Sequence, residues 1–418
     1  MNFWHMQLHP NDKDSWSRED IMKIITDIGV IGLGKSWEND QGQPYHFMHE
    51  AEIGDIVAIR HNGPLCLVEI VSDCKMNDGE DKLEDVWFPI YRRVKLLSTD
   101  AYKMQNAFAK KYNTGWSTGI FAPATFQSAN NWDFIKFWYS NYYQSAMMKN
   151  IITLLKNNYN LVLTGAPGTG KTYLANEVAL ALGDNKPGFV QFHPSYDYSD
   201  FVEGLRPTKD GGFVREDGVF KEFCKDALKD DKDHVFIIDE INRGELSKIF
   251  GELFFAIDPG YRGNKKPIKT QYQNLVPQND PFANGFFVPD NVFIIGTMND
   301  IDRSVESMDF AIRRRFAWKE ISADERELML DEIIPQWADN AKLCMHAINQ
   351  AIEKIAGLSK AYHIGPAYFK NLKNYDGDFS QLWEFHIEGI LREYLRGTRG
   401  VDEKVDSLRK VFLKSVGA

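Results

Sequence analysis

Two rhythms of apolar and polar positions divide the chain. From Met1 to about Lys103 the pattern is that of strands. Asp55-Ile-Val-Ala-Ile59 and Leu65-Cys-Leu-Val-Glu-Ile-Val71 are β-rich runs joined by His61-Asn-Gly-Pro64, a hairpin-type turn. Arg92-Arg-Val-Lys-Leu-Leu97 predicts a further strand. One helix is expected over about Ser17–Ile28, with Ser17 as N-cap and Ile21, Ile24, Ile25 and Ile28 at helical spacing. These elements predict a small β-barrel with one or two helices over residues 1–105. The Gly-, Ser-, Thr-, Asn- and Pro-containing stretch up to Asn131 reads as a linker, residues 106–131.

The second rhythm alternates strands with helices. Aromatic-rich Trp132–Asn157 predicts a helix, followed by buried strands at Leu161–Leu163, Gly188–Phe192, Val235–Ile238 and Val292–Ile295. That alternation predicts an α/β fold, a parallel sheet flanked by helices, over 132–320. From Ser322 the pattern is helical, giving a helical subdomain over 321–418.

Composition narrows the classes. A chain of 418 residues with 43% hydrophobic and 26% charged residues has the balance of a globular protein with room for several cores. Its formal net charge of −10 excludes a general polycation. The four cysteines, Cys66, Cys74, Cys224 and Cys344, are too scattered for a disulfide framework or a zinc site, so a reducing, cytoplasmic setting is expected. No basic segment followed by an apolar core opens the sequence, and no apolar run is long enough to span a bilayer.

Gly165-Ala-Pro-Gly-Thr-Gly-Lys-Thr172 has the spacing G-x-x-x-x-G-K-[ST] between the expected strand Asn160–Thr164 and a helix starting at Tyr173. Gly165, Ala166, Pro167, Gly168, Thr169 and Gly170 would wrap phosphates with main-chain N–H groups. Lys171 would reach the outer phosphates, and Thr172 would ligate Mg²⁺. Val235-Phe-Ile-Ile-Asp-Glu240 is a buried strand ending in two acids. Asp239 would complete the Mg²⁺ shell and Glu240 would polarise the attacking water. A nucleoside triphosphatase follows. Asn299, at the end of Val292–Asn299, is placed to orient water, and Arg313-Arg-Arg315 is either a solvated basic patch or a source of one or two cations for a neighbouring subunit's nucleotide.

Asp239-Glu-Ile-Asn-Arg-Gly-Glu-Leu-Ser-Lys-Ile-Phe-Gly-Glu-Leu253, Phe192–Pro207, Met298-Asn-Asp-Ile-Asp-Arg-Ser304, Ile364-Gly-Pro-Ala-Tyr-Phe369 and Trp383–Tyr394 resemble the McrB family, AAA+ motor subunits of McrBC modification-dependent restriction systems. The resemblance covers about Tyr143 to the C-terminus. It implies a hexameric ring, GTP as preferred nucleotide, and a separate McrC-like nuclease as partner. It matches Asn299 to a sensor asparagine, Asp309, Arg314 and Arg315 to residues facing the neighbour's nucleotide, and Asn242 and Arg243 to a partner-activated pair. No N-K-x-D guanine motif occurs, so ATP stays open, and Asp300 and Ile301 stand where the family usually has small residues. No nuclease centre is expected in this chain; the nearest Glu-Lys pair, Glu353-Lys354, falls in a helical pattern.

The first 105 residues resemble an EVE or PUA-like module, with Trp4, Trp16, Gly32-Leu-Gly34, Trp37 and Gly54-Asp-Ile-Val57 as cues. Such a module implies DNA with modified bases as partner, the base extruded into an aromatic pocket. Trp4, Trp16 and Trp37 are either walls of that pocket or ordinary core and surface tryptophans. This region holds 11 Lys and Arg against 18 Asp and Glu, so a DNA-facing surface requires Lys35, Arg60, Arg92, Arg93 and Lys95 to converge. The competing reading is an ATP-driven remodelling or assembly protein whose first domain binds protein or RNA.

Overall fold

Ser17 caps its helix as the sequence predicts. Its hydroxyl accepts the Asp20 N–H at 3.2 Å while the Asp20 carboxylate takes the Ser17 N–H at 2.8 Å, and this reciprocal box starts helix Arg18–Lys23. The helix runs on as a π turn, Ile24–Ile28. The computed structural model describes residues 1–8, 16–33, 43–61, 63–78, 82–112, 126–128, 133–184, 186–301 and 310–417. They form two units, Met1–Met147 and Met148–Ala418.

The first unit contains strands β1 (Phe3–Gln7), β2 (Val30–Leu33), β3 (Ile56–Arg60), β4 (Pro64–Ile70), β5 (Lys75–Met76), β6 (Ile90–Ser98) and β7 (Phe126–Ser128). They make one sheet in the order β2-β6-β4-β3-β1-β7, with β5 beside β6. β1 and β3 run parallel, Phe3 opposite Ile56, and the other pairs are antiparallel. Alternation sends Trp4, Met6, Val57, Ile59 and Val68 into one core. Phe3, Ile56, Ala58 and Leu67 enter another, shared with Ala101 and Phe108 of helix Ala101–Tyr112 and with Phe134, Ile135 and Trp138. Burial on both faces explains why these strands read as almost continuous apolar runs.

The structure draws the domain boundary elsewhere than the expected linker. Helix Ala101–Tyr112 and β7 fall partly or wholly within 106–131, and β7 pairs with β1, Met6 opposite Phe126. Helix Asp133–Asn158 begins in the first unit, where the Trp138 indole N–H donates to Ser98 Oγ at 2.9 Å, and crosses into the second at Met147/Met148. Residues 113–125 and 129–132 lie outside the described residues.

The second unit adds β8 (Asn160–Thr164), β9 (Gly188–Gln191), β10 (Glu203–Pro207), β11 (Phe213–Asp217), β12 (His234–Asp239), β13 (Val292–Thr297) and β14 (Ala317–Glu320). Five of these make a parallel sheet in the order β14-β8-β13-β12-β9. Strand β13 stands between β8 and β12, so the loop after β8, the acids ending β12 and Asn299 beyond β13 all emerge at one carboxyl-terminal edge. Strands β10 and β11 form a separate two-stranded ribbon that the sequence pattern did not announce. Such a ribbon is marginal alone. Here Glu203, Arg215, Asp217, Lys221, Lys225 and Asp280 form a charge network at its base, with Lys221 Nζ 2.7 Å from Glu203 Oε2.

The lid is helical as expected. Helices Ala338–Glu353 and Val401–Lys414 pack with segments Pro366–Tyr375 and Phe379–Leu382 around Cys344, Ile348, Leu372, Trp383 and Phe412. Glu353 and Lys354 sit at the end of the first of these helices. Among the described residues no helix is long and apolar enough to cross a membrane.

Candidate active site

The loop from Gly165 to Gly170 bends tightly between β8 and helix Lys171–Ala181. Gly165 has φ 137, a conformation that side chains resist, and a Cβ there would lie 2.3 Å from Ile321 O. Both facts require glycine. The buried Lys171 folds back over the loop, its Nζ donating to Ala166 O at 2.8 Å, Gly165 O at 3.1 Å and Asn299 Oδ1 at 2.9 Å. These are neutral acceptors, which a phosphate oxygen outbids as a partner for an ammonium group.

Asp239 receives two hydroxyls. Thr172 Oγ1 donates to its Oδ1 at 2.6 Å and Thr297 Oγ1 to the same oxygen at 2.5 Å, while Gln191 Nε2 reaches Oδ2 at 3.4 Å. A carboxylate and a hydroxyl in contact at a phosphate loop are the hard oxygen donors that fit Mg²⁺. Asn299 links the two halves of the site. While its Oδ1 accepts Lys171, its Nδ2 donates to Glu240 Oε1 at 3.0 Å. Arg243 Nε lies 3.3 Å from the other Glu240 oxygen. Glu240 itself adopts φ 51 and ψ 46, a left-handed backbone that costs a non-glycine residue about 1 kcal/mol or more. That turn aims the carboxylate back toward Asn299.

Asp300 donates its N–H to Gly165 O at 3.3 Å, and burial followed by the nearby Glu320 pushes its carboxyl above the usual range. Asn242 is buried, and among the described residues its Oδ1 finds no hydrogen-bond donor.

The arginine triplet separates. Arg313 and Arg314 are both exposed, Arg313 lying over the Trp318 ring at 4.9 Å. Arg315, expected to face a neighbour, is only 9% exposed and is directed at the Phe254 and Phe255 rings of its own unit, 6.0 and 5.7 Å from their centroids. Asn160 Nδ2 holds its carbonyl at 3.0 Å. Asp309 lies outside the described residues.

The first unit corrects further expectations. Trp4, proposed as a pocket wall, is 4% exposed, and its indole N–H is committed to Asp55 Oδ2 at 2.8 Å, so it is a core residue. Trp16 is half-buried, with its ring centroid 6.3 Å from that of His61. Trp37 and Lys35 lie outside the described residues. Arg60 and Arg92 are buried, which lowers both guanidinium pKa values from their ordinary range, and among the described members of the expected basic set only Arg93 and Lys95 are exposed.

Motif reasoning missed Thr297 and Gln191. Thr297 stands two residues before Asn299 at the end of one strand, a spacing that strand periodicity could have flagged. Gln191 is brought to Asp239 by pairing of β9 with β12, which nothing local announces.

A phosphate loop, an acid-ended neighbouring strand and a parallel sheet under a helical lid define an AAA+ P-loop NTPase fold. Residues 160–316 match the AAA domain (dynein-related subfamily) and residues 340–402 the McrB alpha-helical lid domain. Over these two regions the chain is therefore an AAA+ protein of the McrB type. It is 39% identical over 234 residues to the type IV methyl-directed restriction enzyme EcoKMcrB subunit of Escherichia coli (strain K12), covering 53% of this chain and 50% of that one. It is 29% identical over 206 residues to the type II restriction enzyme BsuMI component YdiS of Bacillus subtilis (strain 168), 41% of this chain and 60% of that one. The chain thus spans about half to three-fifths of these two relatives. A solved structure of a candidate ATPase from Cytophaga hutchinsonii matches at 14% identity and TM-score 0.29, over 58% of this chain and 76% of that one.

Proposed function

We propose that this chain is the nucleotide-hydrolysing subunit of a modification-dependent restriction complex, with GTP its favoured substrate. The observation that carries the reading is the continuous Lys171–Asn299–Glu240 linkage beside Thr172 and Asp239. Lys171 would exchange its neutral acceptors for β- and γ-phosphate oxygens. Thr172 and Asp239 would hold Mg²⁺, which supplies charge neutralisation at the phosphates. Freed from Lys171, Asn299 would orient water against Glu240, the general base. Arg313 and Arg314 are the exposed members of the triplet, and with Arg313 lying over Trp318 we assign Arg314 to reach a neighbouring copy in a hexameric ring, with Asp309 as the family resemblance implies. The buried, unpartnered Asn242 Oδ1 beside Arg243 supports the assignment of this pair to activation by a partner, since an orphaned acceptor gains from an incoming donor. The relatives' names, a restriction-enzyme subunit and a restriction-enzyme component, support a restriction role; in our reading a separate McrC-like nuclease cuts. The first unit, EVE or PUA-like in our reading, would inspect DNA for a modified base, with Trp16 and Trp37 as the remaining pocket residues.

Phosphate release from GTP and ATP, with and without DNA and the partner nuclease, tests this. Glu240→Gln is expected to lower turnover at least about 10²-fold while nucleotide still binds, and Lys171→Ala to abolish binding. Undiminished hydrolysis by Glu240→Gln rejects the assigned base. The second reading is a remodelling ATPase whose first unit binds protein or RNA; the burial of Arg60 and Arg92, which removes cations from any nucleic-acid face, favours its protein-binding form. A panel of DNAs bearing different modified bases, none of which binds the chain, would select it.

A further inference from the structure

The lid segment Ile364–Phe369 meets the phosphate loop through main-chain groups. Gly365 N–H donates to Pro167 O at 3.1 Å, and Ala367 N–H to Gly168 O at 2.9 Å. The backbone of Gly365, φ −80 and ψ 163, is open to any residue. What requires glycine there is space: a Cβ would lie 2.2 Å from Gly168 C and 2.4 Å from Gly168 O. Tyr368 closes on the same point, its Cε2 2.6 Å from where a Gly168 Cβ would sit. Behind the segment, the buried Asn349 of helix Ala338–Glu353 accepts the Ile364 N–H at 2.7 Å and donates to Ile364 O at 3.1 Å. One side-chain amide therefore fixes both polar groups of the residue preceding the contact.

The consequence follows from peptide geometry. In a trans peptide the C=O and the following N–H point in opposite directions. Holding Pro167 O toward the lid turns the Gly168 N–H the other way, and holding Gly168 O does the same for Thr169 N–H. Peptides flanking glycine flip readily. A flip here would present a carbonyl, the negative end of the dipole, to the phosphates that the loop must bind.

We propose that Asn349 and Gly365 are positioning residues for the triphosphatase: they seat the lid on the carbonyls of Pro167 and Gly168 and so keep the loop's N–H groups turned to the phosphates. This rests on reading Gly165–Thr172 as a nucleotide site. The link also makes lid position and phosphate affinity one variable, so a nucleotide gripped by the loop stabilises the seated lid.

The test uses the full chain, with fluorescent GTP and ATP analogues for Kd and phosphate release for KM and kcat. Gly365→Ala is expected to raise Kd and KM about tenfold or more, with a smaller fall in kcat at saturation. Asn349→Ala shifts the same constants in the same direction by less, since it loosens the anchor without placing an atom against the loop. Gly389→Ala is the control, in the same lid, where a Cβ meets nothing within 4 Å; it retains wild-type constants. Wild-type Kd in both Gly365→Ala and Asn349→Ala overturns the proposal, as does a fall in melting temperature with Kd unchanged. Should Gly365→Ala not fold, Asn349→Ala alone decides. A wild-type chain that binds neither nucleotide would instead refute the nucleotide site itself.

Discussion

Asp55 in the first unit and Asp239 in the second are both strand-end acids that gather three donors, yet they do opposite things. Asp55 takes the Asn2 N–H at 2.6 Å, the Trp4 indole N–H at 2.8 Å and the Glu52 N–H at 3.0 Å. Two of these are main-chain groups and the third is a buried ring, so none can turn away without breaking the fold. Asp239 takes two threonine hydroxyls and a distant glutamine amide, which rotate at little cost. The cations repeat the contrast. Arg92 is locked by Phe47 O, Met48 O and Ser72 O from separate segments, whereas Lys171 rests on loop carbonyls and Asn299 beside the space a phosphate would enter. A structural charge is held by partners that cannot be exchanged; a working one is held by partners that can.

The arginine triplet gives the strongest way to break this distinction. Arg314 is exposed and Arg315 is packed under its own phenylalanines, so they belong to opposite sets. Arg314→Ala is expected to lower nucleotide turnover about 10³-fold with no change in melting temperature. Arg315→Ala lowers melting temperature and affects turnover of the folded protein far less. Mixing supplies the sharper readout: a Glu240→Gln copy, inactive itself, should lend Arg314 to an Arg314→Ala copy and restore phosphate release. The reverse ranking of the two arginines would mean that burial does not separate structural cations from catalytic ones here.

Arg92 tests the other side. Removing its guanidinium strands the buried Phe47 carbonyl and the part-buried carbonyls of Met48 and Ser72, a loss of about 3 kcal/mol. Urea unfolding of Arg92→Ala should show that loss in the first unit while nucleotide turnover without DNA is unchanged. If Arg92→Ala instead kept wild-type stability and lost DNA binding, the residue would return to the DNA-facing set from which its burial removes it.

What the sequence revealed follows the same division. Gly165–Thr172, Asp239, Glu240 and Asn299 were legible because each lies at a fixed place on its own strand or loop, and parallel pairing of adjacent strands then brings the ends together. The choice among Arg313, Arg314 and Arg315 was not legible, since it depends on Phe254, Phe255 and Trp318. Trp4 has an apolar body and a polar tip, suited equally to a pocket and a core; Asp55, far along the chain, decides for the core. Strand β7 and the ribbon β10–β11 escaped notice for a related reason. One exists by pairing to β1 and the other is bolted down by charges that include the remote Asp280, so neither carries a strong local pattern.

His346 supplies the smallest and most selective probe, because it is a charged group of the second unit outside every motif. Its Nδ1 lies 3.2 Å from Asp324 Oδ1 and its Nε2 2.7 Å from Glu327 Oε2, and these partners, Asp324 foremost, raise its pKa from the ordinary 6.5 to about 9. The ring is therefore charged at neutral pH in the folded chain. A pKa raised by folding stabilises fully below about 6.5 and is lost as pH climbs through about 9. With 39% of the side chain exposed, solvent screening keeps the effect small. Melting of the nucleotide-free chain at pH 7 and pH 10 should therefore fall about 2 °C further in the wild type than in His346→Gln. Both carboxylates belong to the segment leading from β14 into the lid, and neither can be replaced by a phosphate or a water without losing the pair. Equal pH-induced falls in the two proteins would show that this ion pair, despite its geometry, is exchangeable with solvent, and would place His346 beside Lys171 rather than beside Arg92.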